Sequence, residues 1–368
     1  MKIKDIVTVL FFILVLAADG CIDRYEVPKE IKVAHLVVDG LITNAPGPYQ
    51  VELFRAFDLN TFINKRISVQ NAFVQISDDA GNVETLTEVA PGIYQTALGG
   101  IRGVVGRSYQ LSIRTESDHY SSTPQRLTDG GELEALRYEF DEFAVLKASK
   151  APEAAVNFFI DSKGTAGEKN YFRWRWSSVY ETKNNPELKT REEGRPPRPV
   201  PAPPACSGYR RQGTGIVRFD ICSCCNCWVS EQGNNVTVSK NSSVANDQFV
   251  NVQIASVPMA DRKFHVRYYF KVDQLSVSEE VYDFWKLVES QQLGEGSLFQ
   301  PNAVRVLGNI RSTTKPEEQV LGVFSASGIV SREVFIQREE IPFTIPDEPV
   351  RESCMLRPGA SNTKPLFW

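Results

Sequence analysis

The segment Phe172-Arg173-Trp174-Arg175-Trp176 places an aromatic side chain at every second position and an arginine between each pair. Side chains of a β-strand alternate between its two faces, so the aromatic residues share one face and the arginines share the other. Aromatic residues dominate sandwich cores, and we therefore interpret Trp174 and Trp176 as core residues, with a ligand platform as the alternative. Residues 264–272 repeat the pattern. Such strands bury one face of an antiparallel sheet.

Shorter alternating runs fill the N-terminal part of the chain. Residues 49–53 and 72–76 are examples, and turn clusters such as Pro46-Gly47-Pro48 and Asp78 to Asn82 separate the runs. Alternation between β-branched or aromatic residues and polar residues indicates strands, and the regular spacing of the turns is typical of a small sandwich. The sequence therefore predicts an immunoglobulin-like or transthyretin-like β-sandwich over residues 32–124.

A polar, turn-rich segment at 124–131 separates this sandwich from a second β-rich domain, predicted over residues 132–368. Ser276 and Glu279 form a capping-box pattern that predicts an amphipathic helix ending near Ser290. Its apolar residues recur at helical spacing: Val277, Val281, Phe284, Trp285 and Val288. The predicted fold class is thus all-β with minor α content, a sandwich followed by a larger antiparallel β domain that carries one helix.

The second domain contains a proline-rich, basic segment at residues 189–211. Six prolines fall within ten residues: Pro196, Pro197, Pro199, Pro201, Pro203 and Pro204. This composition is typical of a polyproline-type surface loop. We expect a solvated, semi-rigid excursion here, with recognition by a partner that has an aromatic groove as the alternative.

The N-terminus has the features of a secretory signal. Lys2 and Lys4 precede the apolar run Ile6 to Ala18, which has 13 residues. A membrane-spanning helix needs about 20 apolar residues, so this run is too short to be one. A charged start, a short apolar run and small residues before the cleavage point predict a signal peptide over residues 1–20.

Cys21 follows Gly20, which fits the cleavage site of a lipoprotein, although Asp19 occupies a position where a small uncharged residue is usual. We therefore expect Cys21 to be lipidated and to hold the protein on a membrane through its acyl chains. Residues 21–31 are predicted to be a tether between the lipid and the first sandwich.

Six of the seven cysteines remain once Cys21 is set aside: Cys206, Cys222, Cys224, Cys225, Cys227 and Cys354. An even number in an exported chain favours disulfides, but the sequence does not choose among the possible pairings. The cysteine cluster at 206–227 could instead hold zinc. Its consecutive gaps of one, zero and one residue between Cys222 and Cys227 differ from the usual zinc spacing, so we predict disulfides and no metal.

The composition excludes some classes of function. The chain has 368 residues with 41 basic and 45 acidic side chains, a net charge of −4, which argues against a nucleic-acid-binding protein. His35, His119 and His265 are the three histidines, and none lies in a recognised catalytic motif. We predict neither catalytic residues nor a cofactor, although a pair of carboxylates for glycoside hydrolysis would need no histidine.

Several motifs together resemble one family. They include Leu36 to Asn44, Pro91 to Thr96, Gly103 to Tyr109, Tyr171 to Trp176, Cys227-Trp228, Leu321 to Ser327 and Lys364 to Trp368. In this order they are similar to a lipoprotein family of Bacteroidota known as domain of unknown function 4249. The resemblance implies an outer-membrane lipoprotein, often encoded beside a TonB-dependent transporter, and it brings no catalytic residues.

Three functional hypotheses follow. The first is a lipid-anchored, outward-facing binding or accessory subunit of a TonB-dependent transporter in the outer membrane. The second is a structural or adhesive surface protein in which the β domains act as spacers. The third is a hydrolase whose carboxylates the sequence does not identify.

Overall fold

A computed structural model describes residues 34–57, 66–145, 152–294, 306–345 and 348–368. The predicted signal peptide 1–20, Cys21 and the predicted tether 21–31 lie outside the described residues.

The N-terminal part consists of short strands: β1 (Ala34–Thr43), β2 (Gln50–Phe57), β3 (Ile67–Ser68), β4 (Phe73–Asp78), β5 (Val83–Thr85), β6 (Thr87–Ala90), β7 (Ile93–Gln95), β8 (Ser108–Arg114), β9 (His119–Ser122) and β10 (Gln125–Arg126). Apolar residues at alternate positions explain them, since Leu36, Val38 and Ile42 of β1 are fully buried.

The later part contains longer strands and one α-helix: β11 (Glu132–Ala144), β12 (Glu153–Lys163), β13 (Tyr171–Lys183), β14 (Thr190–Glu193), β15 (Arg198–Pro201), β16 (Tyr209–Gln212), β17 (Gly215–Arg218), β18 (Asn226–Gln232), β19 (Thr237–Lys240), β20 (Gln248–Pro258), β21 (Arg267–Ser276), α1 (Glu279–Gly294), β22 (Ile310–Ser312), β23 (Leu321–Ser327), β24 (Ile329–Gln337) and β25 (Ala360–Ser361). Short 3-10 helices lie at Pro186–Leu188, Ala205–Ser207, Asn241–Ser243, Ala245–Asp247, Arg338–Glu340 and Cys354–Leu356.

The first sandwich packs two sheets against each other. One has the order β23-β1-β2-β7-β6 with β3 beside β2, and the other has the order β22-β9-β8-β4-β5 with β10 beside β8. Side chains from both sheets form one core, which includes Val51, Ile76, Tyr94, Leu111 and Phe324. The prediction of an all-β sandwich is confirmed.

Two strands of the first sandwich come from the far end of the chain. β23 pairs in parallel with β1, from Val37 opposite Leu321 to Thr43 opposite Ser327, and β22 pairs with β9. The sequence-based division assigned both strands to the second domain, because alternation within a strand does not say which sheet it joins. The boundary itself stays a prediction, but the chain returns to the first sandwich after building most of the second.

The second sandwich stacks the sheet β11-β12-β20 on the sheet β24-β21-β13-β18-β25, with β19 beside β13. Its core is aromatic: Phe158 stacks on Phe270 with ring centroids 3.7 Å apart, and Phe172 and Trp174 contact Phe249. Trp174 is 1% exposed, so its predicted core position is confirmed.

Helix α1 packs against β13, β19 and β23 and so touches both sandwiches. Its apolar stripe is buried with Val238 and Val323, as the helical spacing predicted. The predicted N-cap was wrong by two residues: Ser276 ends β21 and accepts the Gly328 amide at 2.9 Å. The Ser278 hydroxyl accepts the Val281 amide instead, at 3.3 Å. No helix among the described residues has the length and apolar composition that a membrane span requires.

The proline-rich segment differs from the predicted polyproline-type loop, because part of it forms paired strands. β14 and β15 form a hairpin in which Arg191 faces Val200 and Glu193 faces Arg198. Along β15, Pro199 and Pro201 alternate with Arg198 and Val200. Proline has no amide N–H, and the two prolines fall at positions that do not have to donate a hydrogen bond across the hairpin. A second hairpin, β16 with β17, follows directly.

Candidate functional site

The six cysteines expected to pair do so in the structure. The bonds join Cys206 to Cys224, Cys222 to Cys225, and Cys227 to Cys354, with Cα atoms 5.6, 5.7 and 5.9 Å apart. The pairing that the sequence left open is thereby assigned. Among the described residues no group of three or more His, Cys, Asp or Glu side chains is placed to hold a metal ion.

Cys222 and Cys225 have a Cys-x-x-Cys spacing. The gaps between consecutive cysteines do not reveal this spacing, because Cys224 lies between the two bonded residues. A surface pocket of about 420 Å³ lies beside this bond, lined among others by Lys183 and Arg218. The spacing is shared with redox-active disulfides. Here it closes a short loop between β17 and β18.

The Cys227 to Cys354 bond fastens the C-terminal segment to β18. Both cysteines are fully buried, and the Cys354 amide donates to the carbonyl of Cys224 at 3.1 Å. Ser361 of β25 then pairs with Trp228, which adds an edge strand to the sheet. The cysteine cluster is therefore a staple that holds the hairpins and the C-terminal segment on the second sandwich.

A different group of side chains lies where the two sandwiches meet. Arg173 and Arg175 project from the face of β13 opposite to the buried Trp174, as the alternation predicted. The guanidinium carbon of Arg173 lies 3.4 Å from the ring centroid of Trp285 on α1. This stacking fixes the guanidinium group above the helix.

The first sandwich contributes acidic side chains to the same region. Asp39 of β1 lies opposite Glu52 of β2, on the face that points away from the core. Glu52 forms a close ion pair with Arg66, whose guanidinium also lies 3.8 Å above the Phe54 ring. Sequence analysis did not single out Asp39. Its signal was a lone carboxylate in the apolar run Leu36 to Ile42.

We call Asp39, Arg173, Arg175 and Trp285 the junction site. Desolvation by the surrounding protein is the main cause that raises the pKa of Asp39; the charge of Arg173 opposes this rise and the charge of Glu52 adds to it. Burial, followed by repulsion from Arg175, lowers the pKa of Arg173 to about 9, while Asp39 acts in the opposite direction. Arg173 is therefore still charged at neutral pH.

Two N–H groups of the junction site, one from a guanidinium and one from an indole, lack hydrogen-bond acceptors. The Nε of Arg173 and the Nε1 of Trp285 are both buried without a hydrogen-bond partner. Buried donors are nearly always satisfied in folded proteins, and an unpaired buried cation is especially unfavourable. The arrangement is chemically suited to accept an anion.

The three histidines lie apart from the junction site. His35 is buried in β1 with Nδ1 at 3.2 Å from the carbonyl oxygen of Gln319, and His119 is exposed at the start of β9. His265 falls within the alternating run 264–272, but β21 begins only at Arg267, so His265 belongs to the preceding turn. The structure does not bring the histidines together.

The fold and the junction site define an all-β protein of two sandwiches with a charged contact region where they meet. The sequence matches the family described as Domain of unknown function (DUF4249) over residues 22–333, and the chain belongs to this family. No curated protein matches the sequence.

One solved structure that is similar to the chain is the adhesin InvE of Yersinia pseudotuberculosis. The two share 15% sequence identity, the match covers 66% of this chain and 55% of the adhesin, and the TM-score is 0.17. The chain thus spans about half of the adhesin's length. A TM-score this low is no guide to function.

Proposed function

We propose that the chain is a lipoprotein of the outer membrane of a Bacteroidota cell, anchored through Cys21 and facing outward. There it acts as a binding or accessory subunit beside a TonB-dependent transporter and is not an enzyme. Membership of the domain family supports this proposal. The signal peptide and the Gly20-Cys21 cleavage context support the anchor.

The observation that carries the binding role is the junction site. Arg173 and Trp285 lie where helix α1 packs against β13 of the second sandwich and β23 of the first. A site between two rigid units is a common place for a ligand. Its buried donors have no acceptor in the described protein, so an anionic ligand would satisfy them.

Co-purification tests the role beside a transporter. Cells that express the tagged protein are mildly crosslinked and solubilised in detergent, and a Cys21→Ser variant serves as the matched control. We expect the wild-type protein to bring down a TonB-dependent transporter and the variant to be lost from the membrane fraction. Recovery of the wild-type protein alone would contradict the role, whereas membrane retention of Cys21→Ser would contradict the anchor.

A structural or adhesive surface role is the second candidate. Several apolar side chains are exposed outside the cores: Leu98, Val104, Phe143 and Val145 have exposed fractions of 78%, 56%, 70% and 79%. Exposed apolar groups of this kind can contact other surfaces. Loss of cell attachment on replacing Leu98 and Phe143 by Ser, with no effect on transporter recovery, would favour this candidate.

The hydrolase hypothesis now has one definite pair of carboxylates. Asp39 has a raised pKa, while Arg66 pairs with the neighbouring Glu52. Glycosidases use a pair of carboxyl groups as acid and as base or nucleophile. Asp39→Asn and Glu52→Gln variants test it: hydrolysis of chromogenic glycosides that both variants abolish would support an enzyme, and its absence in the wild-type protein would favour binding.

A further inference from the structure

Arg173 carries a charge that the described protein does not neutralise by direct contact. Its Nε is buried without an acceptor, and no described carboxylate forms an ion pair with it. A buried donor without an acceptor is unfavourable, and the more so on a charged group. The stacking contact with Trp285 at 3.4 Å compensates only in part, because a ring face is a weaker partner for a cation than a carboxylate.

A second cation increases this imbalance. Arg175 lies two residues along β13 on the same face, and its charge further disfavours that of Arg173. The cross-strand neighbour of Arg175 is Asp273, but this carboxylate pairs with Lys271 at 3.0 Å and accepts the Ser331 hydroxyl at 2.6 Å. Two like charges on one strand face are thus left facing the first sandwich.

Asp39 is the acidic group that the first sandwich offers here, and it is a poor counter-ion. It influences both arginines from a distance but forms no ion pair with either. Desolvation and the negative charge of Glu52 also favour its protonated form.

We propose that Arg173, Arg175 and Trp285 bind the oxyanion group of a small exported ligand: a carboxylate, a sulfate or a phosphate. The flat guanidinium of Arg173, held against Trp285, supplies paired N–H donors for two oxygens, and Arg175 supplies the second charge. This inference deepens the proposed function by giving the chemical class of the retained ligand. Anion binding is measured on the isolated protein, so it can fail or succeed independently of transporter recovery.

Calorimetric titration with defined anions tests the site. The full protein, purified in detergent with its disulfides intact, is titrated with sodium sulfate, inorganic phosphate and sodium glucuronate in a chloride buffer of fixed ionic strength. We expect saturable binding of at least one anion with one site per chain. Arg173→Gln should weaken it by about tenfold or more, because a charge-assisted pair of hydrogen bonds is lost.

Arg267→Gln is the matched control. Arg267 also has a buried Nε without a partner and stacks on Phe335 at 3.8 Å, but it lies at the other end of the sheet near Trp368. Its replacement should leave anion affinity within about twofold of the wild-type value. Arg173→Lys keeps the charge but not the paired donors, so its affinity should lie between those of the wild type and Arg173→Gln.

Three results would overturn the proposal. One is no saturable binding of any of the three anions, and another is equal affinity of the wild type and a folded Arg173→Gln, where folding is checked by circular dichroism. The third is binding to phosphatidylglycerol vesicles without binding of free anions, which would assign the arginines to a lipid surface. Transporter recovery by Arg173→Gln is measured in parallel; if it persists while anion binding is lost, the docking role stands apart from the ligand site.

Discussion

The indole Nε1 of Trp174 donates a hydrogen bond to the Oε1 atom of Gln274 at 2.8 Å, inside the core of the second sandwich. Gln274 is fully buried, and its Nε2 donates to the carbonyl of Gly130 at 2.7 Å. The Ser162 hydroxyl donates to the same Oε1 atom at 2.5 Å. One polar side chain thus links β12, β13 and β21 to the segment that connects the two sandwiches.

Replacing Gln274 by Leu should destabilise the protein. The change leaves the Trp174 donor and the Gly130 carbonyl buried without partners, and each unsatisfied group costs about 1 to 3 kcal/mol. We expect the free energy of unfolding in urea to fall by about 3 kcal/mol. Gln253→Leu, on an exposed position of β20, is the control and should change it by less than about 0.5 kcal/mol. Equal effects of the two variants would contradict this role for Gln274.

The sequence predicted one side of this contact and not the other. The alternation of residues 172–176 was sufficient to place Trp174 in a core. The same periodicity puts Gln274 on the buried face of β21, but periodicity alone does not say which polar residue finds partners there. Its partners lie 100, 112 and 144 residues away, so they follow from tertiary packing alone.

Gly322 is required where β23 lies beside β1. Its φ is +87°, and a Cβ atom at this position would lie 1.9 Å from the carbonyl oxygen of Val38. Gly81 has almost the same φ, +89°, but no atom within 4 Å of the added Cβ. Gly81→Ala therefore measures the backbone strain alone, about 1 to 2 kcal/mol, and Gly322→Ala should cost several kcal/mol more.

Chemical denaturation of the two alanine variants checks this difference. Equal free energies of unfolding for the Gly322→Ala and Gly81→Ala variants would contradict this requirement, because β23 could then move away from β1 without a loss of stability. The parallel pairing of these strands joins residues 284 positions apart, from Val37 opposite Leu321 onward. Local patterns identified both strands, but register and partner depend on the whole sheet, which is why the sequence placed β23 in the wrong sandwich.

The three disulfides should differ in their contribution to stability. The Cys227 to Cys354 bond closes a loop with a sequence separation of 127, whereas Cys222 and Cys225 are 3 apart. In the chain-entropy account the long loop contributes about 4 to 5 kcal/mol and the short one about 2 kcal/mol. We expect the Cys227→Ala/Cys354→Ala variant to unfold at a clearly lower urea concentration than Cys222→Ala/Cys225→Ala.

Peptide mapping without reduction checks the pairing before stability is compared. Each of the three bonds should appear as one linked pair of peptides, and shuffled pairs would contradict the assignment. The sequence could limit the cysteines to one lipid attachment and three bonds, but it could not pair them. Pairing depends on β18 and the C-terminal segment lying side by side, with Trp228 opposite Ser361.

Asp39 and Asp78 should respond to pH in opposite ways. Desolvation raises the pKa of Asp39 in the folded protein. At pH values between the unfolded and folded pKa, the native state therefore binds more protons than the unfolded state. The free energy of unfolding falls as the pH rises through this window. Hydrogen bonds from Asn82 and Ala80 lower the pKa of Asp78, so its stabilising effect is present above the unfolded value near 3.8 and is lost as pH falls. Urea unfolding of Asp39→Asn and Asp78→Asn at pH 3 and pH 7 measures both. The free energy of unfolding of Asp39→Asn, taken relative to the wild type, should be higher at pH 7 than at pH 3. For Asp78→Asn the same difference should be lower at pH 7 than at pH 3. The same sign for both variants would contradict the raised pKa of Asp39.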